Sequence, residues 1–419
     1  MRSLPRSRQG SLYVVVLITS LIVSLAALTG LKMATRGVRQ RQDGVDACLA
    51  RSTVQSGLSI ALARIGNEDN WTTRYPSGAM TSWENLGAGD FRFALISQSG
   101  RHQPLSTEPI FLSCWAKVNR AEIASRLAIQ PSYRPHQALR HAAFARGKID
   151  LDTTWSGSLS TDGTVHAVGG IAGNTRALAA KQVGDPSIQD TQVSEQWIDY
   201  YTSIGVEIPL TSLRYSSSDR IYYLEHVLLA PNHNPFKTGS SSSGVYYIRV
   251  NNQRIHVSYV RIVGTLVLLD TAVNSSITDR VFCEPASPLM PTLLVKGSIN
   301  FQASNLGLYE SWKPLNYNPP SAPYKGMSDS DTQDSYPSSI RGLVYATGDI
   351  YCGKLNWYEN NSMAIHGAIH SGGTIKCWGP LKVFYDPSIE RALFPGFGVF
   401  EGFRSVANSF EIVSSDSAP

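Results

Sequence analysis

Ile340-Arg-Gly-Leu-Val-Tyr-Ala-Thr-Gly-Asp-Ile-Tyr-Cys352 is followed by Ile365-His-Gly-Ala-Ile-His-Ser-Gly-Gly-Thr-Ile-Lys-Cys377. Both read I-x-G-x-[VI]-[YH]-x-x-G-x-I-x-C, 25 residues apart. The core G-x-[IL]-x-[apolar] recurs at Gly147-Lys-Ile149-Asp-Leu151, Gly264-Thr-Leu266-Val-Leu268 and Gly297-Ser-Ile299-Asn-Phe301, with a weaker copy at Gly163-Thr-Val165-His-Ala167. A period in the twenties with a short alternating strand in each copy is the signature of a solenoid. One rung cannot bury its apolar face alone, whereas stacked rungs can. The pattern therefore predicts a parallel β-helix over 131–400, right-handed by the general preference of parallel crossovers. Irregular spacing places insertions near 174–223, 231–244 and 305–339, and leaves 401–419 as a tail.

The register makes definite statements about side chains. Alternation puts Ile350 and Ile375 inside, with Cys352 and Cys377 two residues on facing the same interior. Val344 and Ile369 stack likewise, while Tyr345 and His370 sit together on the outer face. The cysteine pair is read either as a disulfide or as a reduced, buried ladder, because stacked parallel residues point their Cβ atoms alike. Upstream, 67–130 reads as a small antiparallel meander, with strands at Phe91–Ile96, Ile110–Val118 and Ala121–Ile129.

At the N-terminus, Ser11 to Leu31 is a run of 21 residues without a charge. As a helix it rises roughly 30 Å, the thickness of a bilayer hydrocarbon core. The expected organisation is a basic leader at 1–10, a transmembrane helix at 11–33 and an amphipathic helix at 34–66. Ala47, Ala50, Val54, Leu58, Ala61 and Ile65 lie on one helical face. Gly37 and Gly44 would interrupt a continuous helix at about 1 kcal/mol each. A cleaved secretory signal, a plain signal-anchor and a prepilin-type segment all fit the apolar run.

The short basic leader ending in Gly10, followed directly by an apolar helix, resembles type IV prepilins and pseudopilins. The resemblance implies cleavage by prepilin peptidase between Gly10 and Ser11, with methylation of the new N-terminus. The family's first mature residue is Phe or Met and its fifth is Glu; here these positions hold Ser11 and Val15. A missing Glu resembles the minor pilin X and minor pseudopilin K groups. The stretch ACLARSTVQSGLSIALARI over 47–65 is similar to the A-x-x-S-G-L-x-x-A-L-x-x-I segment of X-type proteins. The second half resembles the β-helical bodies of large, uncharacterised pilin-like proteins of planctomycete-type bacteria, which brings no activity with it.

Composition excludes several classes. Hydrophobic residues make up 42% and charged residues 16%, a globular balance. Seven basic residues precede position 42, and without them the formal net charge falls from +5 to −2. A nucleic-acid partner is not expected of such a body. No C-x-x-C pair, G-x-S-x-G, Walker loop or G-x-G-x-x-G is present. His366 and His370 match H-x-x-x-H, yet on a strand they stand roughly 13 Å apart, too far to share an ion. Asp329, Asp331 and Asp334 form D-x-D-x-x-D and read as a solvated acidic loop, with calcium binding the weaker alternative because the EF-hand glycine and distal Glu are missing. Asp349, Lys376 and Lys382 are outward-facing charges.

No catalytic residue, metal site or cofactor is therefore expected. The resemblance implies a non-enzymatic, minor pilin-like or pseudopilin-like protein. Its partners would be other pilin-like subunits, reached through the helix. It would sit single-pass in the cytoplasmic (inner) membrane, its body periplasmic or extracellular. The alternative is a membrane-anchored β-helix enzyme or lectin acting on polysaccharide. A cleft with clustered carboxylates or stacked aromatics would distinguish it.

Overall fold

One helix runs from Gln9 to Gly66 without a break. The computed structural model describes residues 9–68, 70–100, 102, 108–154, 157–180, 182–183, 193–303, 306–354 and 363–413. Most of the expected leader, residues 1–8, lies outside them. The expected interruption at Gly37 and Gly44 does not occur. Two glycines cost about 2 kcal/mol, which the cooperativity of a long helix absorbs. The chain divides into two compact units: Met1–His102 with Ser106–Ser132 and Glu401–Pro419, and Gln103–Leu105 with Tyr133–Phe400.

In the first unit the helix changes character along its length. Every described side chain from Tyr13 to Arg36 is exposed. The hydroxyls in the apolar run satisfy themselves within the helix. Thr19 donates to the Val15 carbonyl at 2.9 Å, Ser24 to Ser20 at 2.8 Å and Thr29 to Leu25 at 2.6 Å. From Asp46 onward one face is buried: Ala50, Val54, Leu58, Ala61 and Ile65 are all at most 6% exposed. They pack on Gly89–Ser97 and Ile110–Val118. These two strands belong to an antiparallel meander with Glu84–Leu86 and Ala121–Pro135. Arg64 forks onto Glu84 at 2.6 and 2.8 Å, tying the helix end to the edge strand.

The expected tail instead builds sheet. Gly398–Ser405 extends the meander beyond Ala121–Pro135, and Glu411–Val413 pairs antiparallel with that same strand. The strand would otherwise leave an open edge and an uncovered face. Val413 packs over Ala94, Trp115 and Ala124.

The second unit is a parallel β-helix with three faces. On one face, Ile299, Ile350, Ile375, Ile149 and Ile171 stack as an inward column. Phe301, Cys352, Cys377 and Leu151 form the column beside it. The second face stacks Tyr246, Leu266, Leu293, Val344, Ile369, Ala143 and Val165. The third stacks Ile262, Cys283, Ile340, Ile365 and Val383. All but Ile171 are buried, and these side chains make one continuous core. The Ile350–Ile375 and Val344–Ile369 registers are those read from the repeat.

Stacking does not follow chain order. Ile149 sits on Ile375, so the first strands of the unit continue from its last. The chain then passes through the helix Gln196–Ile204 to the far end, where Ile221–Leu229 pairs with Arg254–Val263. The Gly264 and Gly163 copies of the motif also lie on the second face, not with Ile350 and Ile375. The pattern marks any strand that follows a glycine corner.

Each glycine of the repeat has its own corner. Gly342 and Gly367 are register partners where the strand bends between faces, at φ +94° and +150°. A Cβ on Gly367 would stand 2.1 Å from the Gly342 carbonyl oxygen. At the next corner Gly348, Gly373 and Gly147 follow one another, and the Gly147 amide donates to the Gly373 carbonyl at 2.7 Å.

Tyr345 and His370 are register partners, but they are buried, not surface residues. A second layer covers the outer side of that face. Trp197 and Tyr201 of the Gln196–Ile204 helix, with Leu139, Ile389, Phe394 and Phe397, close over Val267, Leu294 and Tyr345. The segment 306–336 covers another patch. It is held by Arg261, which is fully buried. Arg261 donates to the carbonyls of Tyr317, Ala322 and Pro323 and to Glu284. A buried cation is tolerated here because its donors are aimed at fixed acceptors.

The helix glycines give opposite tests. A Cβ on Gly57 would meet Phe91 Cδ2 at 2.7 Å, whereas nothing lies within 4 Å of one on Gly44. Gly57→Val is expected to destabilise the first unit by about 1–3 kcal/mol through overpacking. Gly44→Ala should be neutral or stabilising by up to about 1 kcal/mol. Thermal melting of the detergent-solubilised chain checks both; equal effects would contradict the packing described.

Candidate functional site

The outward positions of three neighbouring strands carry Arg341, His366 and Phe384 side by side. They form the floor of a groove of about 700 Å³ at the corner beside Gly342. Pro285, Pro288 and Met290 line one wall, and Asp386, Pro387, Ser388 and Ile389 the other. The His366 and Phe384 rings are stacked at 4.8 Å and 16°. Phe384 is 46% exposed, which is unusual for a large ring beside so much covered surface. The Arg341 guanidinium lies 5.4 Å from the centre of the Phe282 ring, and its Nε is buried without a hydrogen-bond partner. Burial, and then the charge of Arg341, push the His366 imidazole below its ordinary pKa. Asp386 accepts from the Ser388 amide at 2.9 Å.

Other residues singled out by the sequence do not converge. Asp349 is structural: it accepts from the Thr374 amide at 2.7 Å and from the Tyr351 hydroxyl at 3.1 Å. Lys376 and Lys382 stand on different faces. His366 lines the groove while His370 is buried on the next face. Asp329 and Asp334 accept from the Asn318 side chain, and Asp331 caps the Gln333 amide. Among the described residues, no three His, Cys, Asp or Glu side chains are grouped to hold a metal ion. Phe384 was not signalled by any motif; its place beside His366 depends on the stacking register.

Cys352 and Cys377 are register partners, buried, and present as free thiols. A hydrogen bond with Cys377, and then burial, hold the Cys352 thiol well above its ordinary pKa. Gly10 and Ser11 lie in the first helical turn of Gln9–Gly66.

No protein-family model matches the chain, and no curated protein matches it. Among solved structures, the chain is similar to the competence-associated pilin ComZ from Thermus thermophilus. The identity is 11%, over 89% of this chain and 97% of that one, with a TM-score of 0.31. It is also similar to an ice-binding protein from an Antarctic Flavobacteriaceae bacterium, at 10% identity over 61% of this chain and 49% of that one, TM-score 0.26. An ice-binding protein of Shewanella frigidimarina matches at 10% identity over 61% and 98%, TM-score 0.26.

Among the imidazoles, His141 and His370 are shifted furthest by the fold. His141 stacks on His166 at 5.2 Å, and His370 donates through Nε2 to the His141 carbonyl at 3.0 Å. Burial first, then the neighbouring His166, bring His141 down to about 4; burial brings His370 to about 3. Both are neutral when folded and regain a value near 6.5 when unfolded. The unfolded chain then binds more protons below about pH 6.5, so stability present at pH 7 falls as the pH drops toward the folded values. The slope is up to about 1.4 kcal/mol per pH unit for each histidine. The melting midpoint should drop between pH 7 and 5, above the carboxylate range; a flat profile would contradict neutral burial of these rings.

Proposed function

We propose that the protein is a membrane-anchored, pilin-like subunit of the minor pilin or pseudopilin kind, displaying its β-helix outside as an interaction surface. The observation that carries this is the single helix Gln9–Gly66. Its first half is apolar, with no partner from the described residues, and is long enough to cross a membrane. Its second half is docked on an antiparallel sheet. An apolar helix without cover is stable only in lipid or among other helices. Rigid continuity between the halves would let such a helix enter a bundle of like helices while carrying the body with it.

The resemblance supplies the processing step. Prepilin peptidase would cut between Gly10 and Ser11, and Val15 would occupy the position where most pilins carry Glu. The partners would be other pilin-like subunits. The body would face the periplasm or the exterior from the cytoplasmic membrane. A hydrolytic role is not favoured, because among the described residues Asp386 is the only carboxylate lining the groove, and glycoside hydrolysis ordinarily needs a pair.

Mass spectrometry of the membrane-extracted protein tests the reading. The expected mature chain begins at Ser11, methylated on its amine, and co-purifies with other pilin-like subunits. A chain that retains Met1, or that begins near Leu28, would overturn it.

A further inference from the structure

We propose that Lys32, Arg36, Arg39 and Arg41 form a binding strip for the headgroups of anionic phospholipids. This rests on the reading above for insertion of the helix, and adds the lipid class that the helix meets. The four are the only Lys or Arg between positions 11 and 50, and no Asp or Glu stands between 11 and 42. They lie on the continuous helix Gln9–Gly66, directly beyond the uncharged run that ends at Leu31. All four are exposed, and none makes an ion pair with a described residue. Nothing lies within 4 Å of a Cβ placed on Gly37, in the middle of the strip. These charges are therefore left without cover or counter-charge by the described residues.

Helix geometry sets where the charges stand. Lys32, Arg36 and Arg39 share one side within about 60°, with Arg41 behind. Their Cα atoms lie about 2, 8, 12 and 15 Å beyond Leu31 along the axis. The headgroup layer outside the hydrocarbon is about 5–8 Å thick. Lys32 and Arg36 fall at its depth. Helical side chains lean toward the N-terminus, here toward the bilayer, so the long arm of Arg39 reaches back into the layer. Arg41 stands within a Debye length of it. A guanidinium fork binds phosphate oxygens with two parallel hydrogen bonds. The strip also runs against the usual charge bias. With the body outside, four cations within ten residues stand on the translocated side, where Lys and Arg are ordinarily sparse. Cleavage after Gly10 would remove Arg2, Arg6 and Arg8 and leave these four as the nearest cations to the bilayer. Acidic side chains of a neighbouring helix are the other class of anion. The strip begins at the hydrocarbon boundary, where phosphates lie, and that favours lipid.

Native mass spectrometry of the full chain, released from nanodiscs of equal parts phosphatidylcholine and phosphatidylglycerol, tests this. Retained phosphatidylglycerol is expected to exceed phosphatidylcholine at least about fivefold. Lys32→Gln, Arg36→Gln, Arg39→Gln and Arg41→Gln together should bring the ratio near one. The exchange Lys32→Arg, Arg36→Lys, Arg39→Lys and Arg41→Lys should keep most of the preference. Arg51→Gln with Arg120→Gln, exposed charges farther along the first unit, should leave it unchanged. Equal retention of the two lipids, or a preference that survives the four Gln substitutions, would overturn the proposal. So would loss of co-purifying pilin-like subunits from the Gln variant with its lipid preference intact, which would assign the strip to a protein partner. A chain that never enters the bilayer would sink the anchoring reading and this proposal with it, whereas one that enters without lipid preference sinks the proposal alone.

Discussion

Every rung of the β-helix has an apolar inner face that it cannot bury alone, and the rest of the second unit follows from how those faces are covered. The columns through Ile350 and Ile375 and through Cys352 and Cys377 are continued by Ile149 and Leu151, supplied by the unit's first strands. Fully burying one such side chain is worth about 1.5–3 kcal/mol, so an unstacked rung would forfeit several of these terms together. Placing the first strands against the last obliges the chain to cross to the far end before it stacks back. The helix Gln196–Ile204 lies on that crossing, and its Trp197 and Tyr201 are buried over the solenoid's outer side.

The same economy of burial shapes the outer surfaces. One face is sealed by a second apolar layer, another by 306–336 anchored on Arg261, and the corner between them carries the groove. Glycine corners allow neighbouring backbones to approach closely enough for the turn amides to bond in series. The outer columns therefore acquire distinct chemistry: neutral imidazoles under cover in one, and in the other a half-open stack of His366 on Phe384 beside an Arg341 guanidinium that makes no ion pair with the described residues. In the first unit, Gly57 plays the corresponding part, letting the helix settle on Phe91 and Cys114.

The repeat was legible because residues 340–352 and 365–377 are consecutive rungs, and its inner columns follow from alternation alone. Spatial order was not legible: G-x-[IL]-x-[apolar] records a corner and a strand, not which strand lies beside it. Tyr345 and His370 point outward as alternation requires, yet are buried by segments far away in sequence. The helical face from Ala50 to Ile65 was readable from spacing, whereas the continuity of the helix through Gly37 and Gly44 is cooperative and invisible to a residue-by-residue cost. The strand at Glu411–Val413 is short and bears no turn signature, so its return to the sheet depends on an edge created elsewhere. Of the groove, only His366 stood out in sequence, as half of a metal motif that the fold separates.

The central structural claim is that the β-helix stacks out of chain order, and paired cysteines read it directly. In a background lacking the native cysteines, Asp150→Cys with Lys376→Cys occupies outward positions on adjacent strands, while Ala172→Cys with Tyr223→Cys occupies strands at opposite ends of the same face. A short bis-maleimide should join the first pair within one chain and leave the second unjoined. Efficient joining of the second pair and none of the first is the pattern of a solenoid stacked in chain order, and it would contradict the account.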